Sequence, residues 1–135
     1  MAPEVSVVIT CYNYGRYVAG CLRSVFSQSF EDFEIILVDD GSTDNSEKQI
    51  KPFTKDPRLR YIRQENSGQA NAKNRGIREA CGRFVAFVDA DDQWEPQKLT
   101  KQLPLFSNEK VGVVYSRARY IDENDRDLNK EVEEF

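Results

Sequence analysis

Histidine is absent from this chain of 135 residues. That removes His-based acid–base catalysis, Ser-His-Asp triads and His-ligated zinc in one step. Cysteine is scarce: Cys11, Cys21 and Cys81 make an odd number, and none has C-x-x-C spacing. Such usage fits reduced, mostly buried thiols in a cytosolic protein. No apolar run approaches the roughly 20 residues that a membrane span needs. The start, Met1-Ala2-Pro3-Glu4, lacks the basic and apolar regions of a signal peptide. There is no G-x-G-x-x-G turn, which argues against a dinucleotide dehydrogenase. Positive charge is in deficit, with 19 Lys and Arg against 23 Asp and Glu and a formal net charge of −4. Nucleic acid is therefore not the expected partner. Internal repeats and low-complexity tracts are also missing.

What is present is the composition of one soluble globular domain, 39% hydrophobic and 31% charged. Strand and helix patterns alternate. Val5 to Thr10, Phe33 to Val38, Leu59 to Arg63, Phe84 to Val88 and Val111 to Tyr115 read as short, largely apolar strands. Tyr14 to Gln28 carries apolar residues at spacings of three and four, the mark of an amphipathic helix. Ser42 or Thr43 can cap a helix running to about Lys51. Gln69 to Cys81 reads as a helix stopped by Gly82, and Glu95 to Phe106 as another with Pro96 in its first turn. Such alternation predicts right-handed crossovers and a mostly parallel sheet with helices on both faces. The charged stretch Asp122 to Phe135 reads as a frayed segment or an interrupted connection.

In such sheets ligands bind beyond the carboxyl ends of the strands. Three polar clusters fall there: Thr10-Cys11-Tyr12-Asn13, Asp39-Asp40-Gly41-Ser42 and Asp89-Ala90-Asp91-Asp92. The last is the most informative. Its carboxylates repel one another unless a cation sits among them, and oxygen-only ligands suit Mg²⁺ or Mn²⁺ shared with phosphate. An acidic protein with an anionic ligand needs such a local cation. The plain alternative is a polar strand end, with Asp92 capping the next helix. Asp39-Asp40 can accept a hydrogen bond from a ligand N–H, or serve only turn and cap chemistry. In Asn66 to Gly76, Gly68 can let backbone approach a ligand, and Lys73 and Arg75 can meet phosphate or ribose. The same stretch also reads as a turn and a solvated helix face. Tyr12 can stack on a base, whereas Tyr14 and Tyr17 read as packing residues. Trp94 walls the site or packs the following helix.

Together these segments resemble the family 2 glycosyltransferases, inverting enzymes of the GT-A fold. The residues that carry the resemblance are Val5 to Asn13, Ser24 to Gln28, Glu34 to Asp44, Asn66-Ser67-Gly68, Ala72 to Gly76 and Phe87 to Asp92. They keep order and spacing over residues 5 to about 115. The resemblance implies an α/β, GT-A (Rossmann-like), mostly parallel sheet. It also implies a nucleotide-sugar donor, most often a UDP-sugar, and a carbohydrate or lipid-linked acceptor. Thr10 and Tyr12 would line the base pocket, and Asp40 would accept from the uracil imide. Gly68, Lys73, Asp89 and Ala90 would complete the donor site, with Asp89 toward the ribose or sugar. Asp91 would ligate the divalent ion, Mn²⁺ or Mg²⁺. The family usually has Arg where this chain has Lys73, which keeps the charge and loses bidentate geometry.

The family's acceptor half carries the carboxylate that deprotonates the acceptor, farther downstream than Asp122, Glu123 and Asp125. The expectation is therefore an amino-terminal donor-binding part: residues 1–120 as the nucleotide-sugar-binding domain, 121–135 as tail or connection. Polysaccharide synthesis at the inner face of a bacterial membrane is the setting the resemblance implies. Three other readings stand beside it. An aspartyl-phosphate phosphatase would carry its Asp-x-Asp after the first strand, as a receiver domain would carry its acidic pair. A non-catalytic nucleotide-binding module shares every donor-site feature.

Overall fold

The computed structural model of the protein describes residues 1–132. They fall into two compact units, Met1–Thr100 and a second that begins at Lys101. The first unit holds strands β1 (Val5–Cys11), β2 (Phe33–Asp39), β3 (Leu59–Arg63) and β4 (Phe84–Asp89). Its helices are α1 (Val18–Phe26), α2 (Ser46–Ile50) and α3 (Gln69–Glu79), and α4 (Lys98–Gln102) begins at its end. The sheet order is β3-β2-β1-β4, and every neighbouring pair is parallel. The chain winds outward from β1 to β3, then returns to lay β4 on the other side of β1. The order thus reverses between β1 and β4, and such a reversal opens a crevice at the carboxyl ends of the two strands.

The sequence explains why β1 and β2 lie at the centre. Both are rich in Val and Ile, and almost every residue in them is buried. A strand that buries both of its faces needs apolar residues in both alternating rows. One row holds Val7, Ile9, Ile35 and Leu37; the other holds Val8, Ile36 and Val38. Against the second row lies α3, where Ala72 packs on Ile36 and Val38 with Ile62 and Ala80 at the margin. Gly76 lets α3 come close: a Cβ there would stand 2.3 Å from Val8 Cγ1. Val8 is buried and stiff at χ1, so it cannot swing away. Gly76→Ala gains about 1 kcal/mol of helix propensity, but overpacking of this kind costs about 1–3 kcal/mol. The overlap is deep, so the expected result is a net loss near 1 kcal/mol, read as a lower urea midpoint at unchanged slope.

Several helices are shorter than their patterns predict, each for a local reason. Helix α1 starts at Val18 rather than Tyr14. The N–H groups of Asn13 and Gly15 are bound to Ser42 Oγ and Asp44 Oδ2 at 3.0 and 2.9 Å, and Asn13 sits at φ 56°. These bonds hold residues 13–15 in a loop. Helix α2 starts at Ser46, not at Ser42 or Thr43, because Asp44 Oδ1 accepts from the Ser46 N–H and hydroxyl. Helix α3 ends at Glu79, with Ala80 extended. Gly82 is therefore not its stop. A Cβ on Gly82 would lie 2.6 Å from Ser6 N, so its smallness serves a close approach to β1. The helix expected over Glu95 to Phe106 is α4 followed by a 3₁₀ turn over Leu103–Ser107. Pro104 has no N–H to continue α4, and Pro96 lies before the helix, its carbonyl accepting from Ser29 N–H at 2.9 Å.

In the second unit, Val111 to Tyr115 is not a strand. Alternating apolar residues make a strand only where a ladder partner exists, and here Val113 and Tyr115 are 80% and 89% exposed. The strands lie later, as an antiparallel pair of β5 (Arg119–Ile121) and β6 (Asp127–Glu131). Asp122 Oδ1 ties their turn by accepting from Asn124 N–H and Arg126 N–H at 2.8 and 2.9 Å. Most of the stretch read as a frayed tail is thus a hairpin; the part of that expectation covering residues 133–135 lies outside the described residues. Among the described residues no helix is long and apolar enough to cross a membrane.

Candidate functional site

Strand register brings the polar clusters to one edge. Thr10 pairs with Asp89 across β1 and β4, and Cys11 pairs with Asp39, which pairs with Arg63 on β3. Backbone bonds continue past the strand ends, from Asp40 N–H to Cys11 O at 2.9 Å and from Ala90 N–H to Thr10 O at 3.2 Å. The loops after β1, β2, β3 and β4 therefore leave the sheet side by side.

The loop after β4 is built around Ala90. This residue is fully buried, while Asp91 and Asp92 are exposed and Asp89 is half-buried. Asp92 N–H closes the turn on Asp89 O at 3.0 Å. One carboxylate oxygen from each of Asp89, Asp91 and Asp92 lies within 4.8 Å of the others. Three carboxylate oxygens gathered this closely could share one divalent cation. The donor set is all hard oxygen, as Mn²⁺ or Mg²⁺ prefers. Its field is plain in the neighbours. Burial, then Asp91 and Asp89, hold the Asp92 carboxyl above the usual carboxylate range. The Tyr14 phenol is pushed up, first by Asp91. Positive charge reaches the cluster from α3, where Lys73 Nζ stands 3.8 Å from Asp89 Oδ1, and Gln69 Nε2 donates to the same oxygen at 3.1 Å.

The loop after β2 has two aspartates with separate tasks. Asp39 is fully buried. Its Oδ1 accepts from Ser42 N–H at 2.9 Å, and its Oδ2 from the Tyr61 hydroxyl at 2.7 Å and Arg63 at 3.1 Å. Arg63 also donates to Ser42 O at 2.7 Å. Asp39 is thus the keystone of the loop. Asp40 keeps 4% of its surface and faces the segment after β3. Its Oδ1 accepts from Gln64 Nε2 at 2.8 Å and Ser67 N–H at 2.9 Å, and its Oδ2 from Gly68 N–H at 2.9 Å. Burial pushes the Asp40 carboxyl up, but these bonds outweigh it and hold it below the usual range. Two glycines permit the arrangement. Gly41 and Gly68 adopt φ 78° and 94°, where a side chain is strained.

The remaining candidates divide. Thr10 is nearly buried at the strand end, and Tyr12 beside it is 45% exposed, leaving its ring free to stack. Arg75 pairs with Glu79 one turn along α3, at 3.2 Å. Trp94 lies on the helix side of the loop, with its N–H on Ser24 Oγ at 3.0 Å and Lys98 Nζ 5.6 Å from its ring centroid. Tyr14 and Tyr17 pack on each other, with ring centroids 6.5 Å apart. Asn13, placed by sequence in the first polar cluster, ties the first two loops together, its Oδ1 accepting from Thr43 N–H and Asp44 N–H. Sequence reasoning missed Tyr61, Arg63 and Gln64. Tyr61 and Arg63 alternate at the end of β3, so both point to one face, and a buried aspartate calls for such partners.

The profile of Glycosyl transferase family 2 matches residues 6–133. This chain belongs to that family. An uncharacterised glycosyltransferase of Nostoc sp. is 40% identical over 129 residues, covering 94% of this chain and 40% of that protein. Glycosyltransferase GlyG of Streptococcus pneumoniae is 46% identical over 94 residues, 68% of this chain and 31% of its own length. The family 2 chain thus spans well under half of these relatives. Among solved structures, TarS of S. aureus in complex with UDP superposes with a TM-score of 0.71 at 30% identity, over 78% of this chain and 32% of TarS. A mannosyltransferase of Pyrobaculum calidifontis in complex with GDP-Man and Mn²⁺ gives 0.66 at 28% identity, over 75% and 31%. The fold is the GT-A-like parallel sheet that the resemblance implied. A β4 location for the Asp-x-Asp also separates this chain from phosphatases and receivers, whose acids follow the first strand.

Proposed function

We propose that this family 2 chain binds the nucleotide-sugar donor of an inverting glycosyltransferase, with a UDP-sugar as donor and a divalent cation at Asp91. The observation that carries the reading is the meeting of Thr10, Asp40 and the Asp89-Asp91-Asp92 oxygens at the strand-order reversal. Tyr12 stacks on the base, and Asp40 accepts from its imide N–H. Asp89, oriented by Gln69 and Lys73, faces the ribose or sugar. Gly68 and the buried Ala90 keep backbone close to the ligand. Asp91, with Asp89 and Asp92 beside it, would hold Mn²⁺ or Mg²⁺. When bound, the ion would neutralise charge that develops on the departing diphosphate. Displacement by an acceptor hydroxyl inverts the anomeric carbon.

These site residues all fall in Met1–Thr100, within the stretch 1–120 assigned to donor binding. The acceptor base is not assigned to Asp122, which is spent on the turn between β5 and β6. The neighbours solved with UDP, UDP-GlcNAc, and GDP-Man with Mn²⁺ support a nucleotide-sugar donor and a divalent ion.

Manganese titration, followed by the free-ion EPR signal, tests the reading. Mn²⁺ is expected to bind weakly alone and at least about tenfold more tightly when UDP is present, since the diphosphate completes its ligands. Equal Mn²⁺ affinity with and without UDP would contradict it.

A further inference from the structure

We infer that Gln64 is a specificity-determining residue that makes Asp40 a reader of a single ring N–H, selecting a uracil or thymine base over guanine. This rests on the proposed donor-binding reading and adds a residue to it. An ionised carboxylate offers about four acceptor positions, two on each oxygen. On Asp40, Oδ1 is filled by Gln64 Nε2 at 2.8 Å and Ser67 N–H at 2.9 Å, with the Ser67 hydroxyl a longer third donor at 3.4 Å. Its Oδ2, among the described residues, is bound only by Gly68 N–H at 2.9 Å. One acceptor position is left, and it lies on Oδ2.

The bases differ in what they bring to such a group. Uracil and thymine present one imide N–H between two carbonyls. Guanine presents a ring N–H and an adjacent amino group, two neighbouring donors that need both carboxylate oxygens side by side. With Oδ1 closed, the second donor of guanine would be buried without a partner, a loss of roughly tenfold or more in affinity. The closure is deliberate in its geometry. Gln64 also donates to Ser67 Oγ at 2.9 Å, so its amide is oriented by the same loop that it helps to hold. Both Ser67 N–H and Gly68 N–H belong to the backbone and are present whatever the side chains. Of the two side-chain donors on Oδ1, Gln64 is the shorter at 2.8 Å, against 3.4 Å for the Ser67 hydroxyl, so its removal opens the position most.

The test is a calorimetric comparison of UDP and GDP, each in Mn²⁺, on the native chain, Gln64→Ala and Ser67→Ala. The native chain is expected to prefer UDP by about tenfold or more. Gln64→Ala frees the second Oδ1 position, so the UDP:GDP ratio should fall about tenfold, with GDP gaining. Ser67→Ala keeps its backbone donor on Oδ1 and removes only the 3.4 Å hydroxyl contact and one anchor of the Gln64 amide, so it should lower the ratio less than Gln64→Ala. A general loosening of the loop would weaken both nucleotides together and leave the ratio unmoved, so the ratio reads specificity and not fold. A native chain that binds UDP and GDP equally, or a Gln64→Ala ratio equal to the native one, overturns the inference and leaves the donor-binding reading standing. A folded native chain that binds neither nucleotide overturns both.

Discussion

Asp39→Ala is expected to cost about 2–4 kcal/mol of stability from the orphaned Ser42 N–H and Tyr61 hydroxyl alone. The carboxylate is wholly buried and accepts from Ser42, Tyr61 and Arg63. Alanine removes every acceptor and leaves those donors facing a small apolar group. Breaking such a set by deleting one member costs more than the set contributes, because the desolvation of the survivors is uncompensated. Burial and the Asp39 carboxylate together push the Tyr61 phenol far up, so the hydroxyl stays a donor at any working pH. Asp39→Asn keeps the shape and one carbonyl oxygen, and should lose less. Chemical denaturation with unchanged slope would measure both. A cost below 1 kcal/mol for alanine, on the scale of an ordinary surface change, would show that Asp39 is not the keystone of its loop.

Asp91→Ala carries the second large effect, and it falls on ligand binding instead of stability. Its carboxylate is exposed and belongs to the three-aspartate cluster. Losing a partner that merely orients a metal ligand costs about 10–100-fold in metal affinity, so losing a ligand should cost at least that. Mn²⁺ affinity in the presence of UDP should therefore drop by about 100-fold. Folding should hold or improve slightly, because one of three mutually repelling carboxylates is removed. An Asp91→Ala chain with native Mn²⁺ affinity would place the ion elsewhere or nowhere.

How much of this was legible in the sequence depends on what each residue answers to. The four parallel strands answer to β-branched runs in β1 and β2, which admit no other reading when both faces must be buried. The acidic loop was legible because Asp89, Asp91 and Asp92 are adjacent in sequence as well as in space. Helix starts were not. Residues 13–15 and 42–45 are fixed by bonds about 29 positions apart in sequence, such as Asn13 N–H to Ser42 Oγ, and no local pattern records them. The strand expected at Val111 to Tyr115 failed for the opposite reason. Its local pattern was right, but a strand exists only in its ladder, and none forms there. Gln64 lay outside every motif; only its bond to Asp40 gives it a role.

Binding of UDP and of Mn²⁺ must be coupled reciprocally if one site holds both, so each tightens the other by one common factor. Calorimetric titration of UDP into the native chain, in Mn²⁺ and again in EDTA, therefore tests the central claim most directly. The account predicts binding at least about tenfold tighter in Mn²⁺, matching the factor by which UDP tightens Mn²⁺. UDP affinity that is the same in Mn²⁺ and in EDTA would contradict it.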